Sequence, residues 1–181
     1  GMKQDYAAAL KWYRQAADQG EATAQSSLGC MYYAGEGVKQ DYAEAAKWYQ
    51  KAADQGEATA QNNLGWMYSA GEGVKQDYAE AAKWYQKAAG QGNAGAQCSL
   101  GVMYAKGLGV EKDTMEAVGW CRKAADQGEA TAQNNLGWMY YAGEGVKQDY
   151  AEAAKWYQKA ADQGNADRSE EHTSELQSRF G

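Results

Sequence analysis

Residues 57–92 read EATAQNNLGWMYSAGEGVKQDYAEAAKWYQKAAGQG, and the string returns at 129–164 with Tyr141 for Ser69 and Asp162 for Gly90 as the only changes. Looser copies fill 21–56 and 93–128, behind a half unit at 1–20. Leu28-Gly29, Leu64-Gly65, Leu100-Gly101 and Leu136-Gly137 keep a step of 36, as do Trp12, Trp48, Trp84, Trp120 and Trp156. Self-similarity at a fixed period of this length marks an architecture in which one supersecondary unit stacks on the next.

Within 57–92 the pattern predicts two helices. The first spans about Ala58 to Ala70, with Ala60, Leu64, Met67 and Tyr68 three and four apart on one apolar stripe. Gly65 on that side gives up about 1 kcal/mol of helix propensity relative to alanine, which predicts close approach by a neighbouring helix. Gly71 supplies the left-handed residue that ends the helix, Gly73 a second permissive position, and Val74 a plug under the loop. The second helix opens at Asp77-Tyr78-Ala79-Glu80, an N-cap with glutamate at capping-box spacing. The spacing recurs at Asp41/Glu44, Asp113/Glu116 and Asp149/Glu152, and only in part at Asp5, where Ala8 replaces the acid. Tyr78, Ala81, Ala82, Tyr85, Ala88 and Ala89 make the expected buried stripe, with Glu80 and Lys83 outside. Neither helix pair buries its stripe alone. The sequence therefore predicts an all-α, right-handed α-solenoid of helix-turn-helix units with about nine helices, over residues 1–167.

Composition agrees. The 181 residues include 36 alanines, while leucine, valine and phenylalanine supply 14 and isoleucine and proline none. So few bulky aliphatics would ordinarily signal disorder. Here the net charge of −6 is modest, and 14 Tyr, 7 Trp and 6 Met provide the missing apolar bulk. Alanine favours helix, and scarce β-branched residues argue against sheet. No apolar run approaches a membrane span.

The landmarks Ala-x-x-x-Leu-Gly-x-Met-Tyr, Gly-x-Gly-Val, Asp-Tyr-x-x-Ala-x-x-Trp-Tyr and Ala-Ala-x-x-Gly together resemble the Sel1-like repeat, a relative of the tetratricopeptide repeat. A tetratricopeptide array would have a period of 34 and proline after the second helix; here the period is 36 and the turn uses glycine. Lys39, Lys75 and Lys147 stand where the family often has proline. The resemblance implies first helices lining a concave surface and a role as a protein-interaction scaffold binding a protein or peptide there, without a cofactor. Cysteine-rich members of the family carry disulfides within each unit, and some are linked to β-lactam binding or hydrolysis. At those paired positions this chain has alanine or other residues. Cys98 and Cys121 fall in one unit but replace an asparagine and a tyrosine of sister units, which reads as drift.

On the first helices, Thr59, Asn62, Trp66 and Ser69 share a face distinct from the apolar stripe, matched by Thr131, Asn134, Trp138 and Tyr141, with Tyr33 in the first full unit. Asparagine amides suit a peptide backbone or carboxylate, and tryptophan a rigid anchor. The concave-face candidates are therefore Tyr33, Thr59, Asn62, Trp66, Thr131, Asn134, Trp138 and Tyr141, with Trp66 and Trp138 open to the alternative of filling gaps between repeats. Trp48, Trp84 and Trp156 read as structural. Glycan-fragment binding in the aromatic groove is an alternative, and a cell-wall or β-lactam hydrolase a lesser one. No His-Glu-x-x-His, Ser-x-x-Lys or Gly-x-Ser-x-Gly occurs, and Gly71-Glu72-Gly73 follows a helix rather than the strand a phosphate loop needs. The units carry net charges of −2, −1, 0 and −2, with no basic stripe for nucleic acid.

After Asp167 the repeat breaks. Arg168 to Ser178 resembles a sequencing adapter translated in one frame, so 168–181 is expected to be a non-native or disordered tail, and it holds His172, the single histidine. Both ends of the array then lack polar caps, and end-to-end self-association or fraying is expected. The compartment stays open between cytoplasm and bacterial periplasm or cell envelope.

Overall fold

The computed structural model describes residues 2–164, and the expected tail at 168–181 lies outside them. Among the described residues there are nine helices and no strands: α1 (Met2–Asp18), α2 (Ala22–Ala34), α3 (Tyr42–Asp54), α4 (Ala58–Ala70), α5 (Tyr78–Gly90), α6 (Ala94–Lys106), α7 (Thr114–Asp126), α8 (Ala130–Ala142) and α9 (Tyr150–Asp162). The chain divides into two compact units, Gly1–Gln91 and Gly92–Gly181. In the first, α2 packs on α1, α3 on α2, α4 on α3 and α5 on α4; in the second, α6 to α9 follow the same order.

Helix ends follow the local chemistry. Asp41, Asp77, Asp113 and Asp149 each accept a hydrogen bond from the backbone N–H three residues on. The capping box is only half made. The backbone N–H of each of these aspartates donates to the carbonyl of Tyr32, Tyr68, Tyr104 or Tyr140 on the preceding helix, and Glu44, Glu80 and Glu152 instead pair with Lys47, Lys83 and Lys155. Asp5 is no cap: α1 runs back to Met2, so Asp5 is inside the helix. Gly71 takes φ 75° and donates its N–H to Met67 O at 2.8 Å, while a Cβ on Gly73 would collide with the backbone of Tyr42.

The expected close approach is where Gly65 predicts it. A Cβ there would stand 2.9 Å from Cδ1 of Tyr85, and Gly29 and Gly137 face Tyr49 and Tyr157 in the same way. In the third repeat Gly101 faces Cys121 instead, so the tyrosine-to-cysteine change falls at the tightest helix contact. Leu28, Leu64, Leu100 and Leu136 are all but fully buried. Trp48, Trp84 and Trp156 are buried core residues, as expected, with the Nζ of Lys51, Lys87 and Lys159 over their rings. Tyr78, expected in the buried stripe, is instead 37% exposed. It stands in the first turn of α5, and its hydroxyl accepts from Gln76 at the surface.

A buried glutamine ties consecutive repeats. Gln61 Nε2 donates to the carbonyl of Ala53 at 3.1 Å, and its Oε1 accepts from Gln91 at 2.8 Å. Gln25 and Gln133 make the same two bonds, to Ala17 and Gln55 and to Ala125 and Gln163. Each adds a side-chain bond to a helix-terminal carbonyl that also accepts the N–H of the glycine three residues on.

Candidate functional site

With Leu64 and Gly65 turned to the core, the next residue of α4 comes out on an open edge. Trp66 is 40% exposed. Tyr33, from the end of α2, meets it edge-on, with centroids 5.6 Å apart and rings at 89°, and also packs on Tyr42 at 5.1 Å. These two candidates line one cavity of about 480 Å³, together with Cys30, Glu36, Tyr49 and Asn63. The Tyr49 hydroxyl donates to Cys30 Sγ at 3.2 Å on the cavity wall. Burial, and then the hydrogen bond to Cys30, push the Tyr49 hydroxyl well above its ordinary pKa. Burial and the Glu72 carboxylate do the same, less strongly, for Tyr33.

The second compact unit repeats the arrangement 72 residues on. Trp138 is 45% exposed and stacks at 5.7 Å on Tyr141, which in turn meets Tyr150 at 5.5 Å. The cavity beside it measures about 410 Å³. Val102, Cys121, Asn135 and Trp138 line it where Cys30, Tyr49, Asn63 and Trp66 line the first. The linings differ in two ways. Ala105 takes the place of Tyr33 and Tyr157 joins, while Lys106 takes the place of Ala34, Lys112, Asn134 and Glu144 join, and Glu36 has no counterpart.

Of the eight candidates, the structure thus brings Tyr33 and Trp66 to one cavity, and Asn134 and Trp138 to the other with Tyr141 against Trp138. Thr59 and Thr131 are exposed in the first turns of α4 and α8, and neither lines a cavity described here. Asn62 is half-buried and donates to Asn63 Oδ1 at 3.4 Å. Sequence reasoning missed Asn63 and Asn135, which stand three residues before the exposed tryptophans, where Asn62 and Asn134 stand four before; both spacings reach one helix face. It also missed Lys106 and Lys112, whose signal was their departure from the alanine and glutamine of sister units.

The three cysteines are free. Cys98 receives a long contact from Asn135 Nδ2 at 3.8 Å, and burial pushes the Cys121 thiol up to about 12 and Cys98 higher still. Among the described residues no group of three His, Cys, Asp or Glu side chains converges as metal ligands, and no helix is long and apolar enough to cross a membrane. The cavities offer aromatic faces, amides and a few charges. That is equipment for recognition.

Helix pairs repeated at 36 residues, with a glycine-tyrosine contact in three of them and a glycine-cysteine contact in the other, and open aromatic cavities between neighbours, define an all-α repeat protein. The Sel1 repeat family profile matches residues 1–21, 22–57, 58–93, 94–129 and 130–165, and the chain belongs to that family. Its repeats begin one residue later than the sequence units drawn above. Among solved structures the chain is similar to c5321, a protective antigen of uropathogenic Escherichia coli strains displaying an SLR fold, with 46% identity over 88% of this chain and 34% of that one, TM-score 0.83. It is also similar to a Sel1 repeat protein of Oxalobacter formigenes (38% identity, 86% of this chain, 62% of that one, TM-score 0.82). Cysteine rich protein B of Helicobacter pylori matches at 26% identity over 72% of this chain and 94% of its own, TM-score 0.56. The chain thus spans about a third and about three fifths of the first two. Comparison with curated protein sequences gives no match. Sel1 repeat proteins are in general protein-interaction scaffolds, and typically non-catalytic.

Proposed function

We propose that this chain binds extended peptide segments of a protein partner on its first helices, with Trp66 as the anchor in one compact unit and Trp138 in the other. One observation carries the reading: in repeats whose other tryptophans are almost wholly buried, these two stand 40% and 45% exposed at the rims of equivalent cavities. A large aromatic side chain left open beside a preformed cavity is what binding hot spots are made of. Tyr33 and Tyr141 hold the indoles in place, so little side-chain freedom is lost on binding. The neighbouring asparagines supply amide donors and acceptors for a peptide backbone. The test is selection of binders from a displayed random-peptide library against the chain, followed by titration of Trp66→Ala with Trp138→Ala. Affinity should fall at least about tenfold, the usual scale for a hot-spot pair, with the circular dichroism spectrum kept. Undiminished binding sinks the proposal, and a collapsed helical signal returns both residues to the core.

Self-association is a second reading, favoured by Trp12. It is 70% exposed, whereas Trp48 and Trp84 at the equivalent position lie in core clusters with residues of the preceding helices. Trp84 shares a core cluster with residues of α3 and α4, and α9 has the sequence of α3, YAEAAKWYQKAAD. Ala46 and Ala53 are buried in α3, while their counterparts Ala154 and Ala161 are partly open. Docking of Trp12 from one copy on α9 of another would therefore reuse an interface the chain already makes within itself. Light scattering should show mass rising with concentration, and Trp12→Ala should abolish the rise; a monomer at every concentration excludes it.

A further inference from the structure

The third repeat departs from its sisters in charge, at two positions that face one cavity. Positions 34, 70 and 142 hold alanine where 106 holds lysine, and positions 40, 76 and 148 hold glutamine where 112 holds lysine. Lys106 and Lys112 are both exposed, both line the cavity beside Trp138, and among the described residues neither forms a salt bridge; the pairs present are Lys47–Glu44, Lys83–Glu80 and Lys155–Glu152. Glu144 is the single acid of that lining, so the lining carries a formal charge of +1. The equivalent cavity beside Trp66 has Glu36 and no lysine, a formal charge of −1.

Asn134 supplies an independent indication. Its side-chain oxygen is buried and accepts no hydrogen bond, although the residue lines the same cavity. A buried acceptor without a donor is unfavourable until one arrives, and an incoming peptide N–H is such a donor. Two exposed cations, a buried acceptor and a part-exposed indole lining one cavity match a backbone segment with an anionic side chain.

We propose that the Trp138 cavity is a subsite for an acidic residue of a bound peptide. Lys106 and Lys112 hold the side-chain carboxylate, Trp138 packs on its methylene stem, and Asn134 accepts a backbone N–H from the peptide. Glutamate fits better than aspartate, because its longer stem covers more of the indole while its carboxylate reaches the lysines. This rests on the peptide-binding reading above and names the chemistry of the partner. Exposed ammonium–carboxylate pairs are individually weak and screened by salt, so discrimination comes from two lysines acting together and is greatest at low ionic strength.

The test is fluorescence anisotropy with two pools of labelled, acetylated pentapeptide amides, randomised at four positions and carrying a central Glu or Gln. Each pool is titrated with the full chain at low and at high ionic strength. The Glu pool should bind about tenfold more tightly at low salt, the scale of two modest ion pairs, and the margin should shrink at high salt. Lys106→Ala with Lys112→Gln restores the residues of the sister repeats, so the fold tolerates both. It should bring the Glu pool to the affinity of the Gln pool. Equal affinity of the two pools for the unaltered chain, or a Glu preference that survives the double substitution, overturns the acidic subsite. The peptide-binding reading then still stands if Trp138→Ala weakens both pools. Binding of neither pool overturns both.

Discussion

Gly65→Ala places a methyl group where α4 touches α5, and two effects of comparable size then oppose each other. Alanine in a helix interior is favoured over glycine by about 0.8–1 kcal/mol. Against this, the new Cβ would stand 2.9 Å from Cδ1, 3.0 Å from Cε1 and 3.1 Å from Cγ of Tyr85. Tyr85 is buried, and because Cγ is among the near atoms, no ring rotation clears the contact. Overpacking of this kind costs about 1–3 kcal/mol. The steric term wins, for a net loss of about 1 kcal/mol. Gly119→Ala in α7 is the control, since nothing lies within 4 Å of its Cβ; there propensity acts alone and should stabilise by nearly 1 kcal/mol. The assay is urea unfolding followed by circular dichroism, compared through midpoints, because repeat arrays depart from two-state behaviour. One substitution in two helices of the same repeat array should move the midpoint in opposite directions. If Gly65→Ala raises it as Gly119→Ala does, the two helices do not meet at that glycine.

Gln61→Leu removes the donor to Ala53 O and the acceptor for Gln91. Gln91 is exposed and finds water, and Ala53 O keeps its bond from the Gly56 N–H, so the loss should amount to about 1 kcal/mol in the same urea assay. In a thiol-labelling experiment near neutral pH, Cys30 should react at once and Cys98 and Cys121 only after denaturant is added, since Cys30 alone is exposed. Burial raises the pKa of both inner thiols above the unfolded value. Their contribution to stability is therefore whole below about pH 8.5 and is lost as pH rises from there through the folded values, so unfolding midpoints should fall in alkali.

Most of the fold was legible because the repeat restates each instruction. Helix α4 occupies Ala58–Ala70 as its stripe predicts, Asp77 caps α5, and Gly65 marks the helix contact. Where the structure departs from the pattern, contacts outside the helix's own period decide. Asp77 reads as half of a capping box, but its N–H belongs to Tyr68 across the loop. Gln61 carries no signal in the apolar period of its helix, and the structure shows it bridging Ala53 and Gln91 on either side. Tyr78 fits the apolar spacing of α5, but a first-turn residue at a loop is not covered by packing on later turns. At the candidate site, spacing put Trp66 and Trp138 on a face apart from the apolar stripe, and both are exposed. The cavities add side chains from two repeats and a second helix, as when Tyr49 of α3 meets Asn63 of α4, and no local period records that meeting.

The central claim is that partners are held on the first helices at the exposed indoles. Photo-cross-linking tests it most directly, with a benzophenone amino acid placed singly at Trp66, Trp138, Lys83 or Lys155 and a selected peptide as target. The first two positions rim the cavities, and the last two are exposed on the second helices. Cross-links from Trp66 and Trp138, and none from Lys83 or Lys155, are the predicted result. Cross-links confined to the lysine positions would place the partner on the opposite helices and contradict the account.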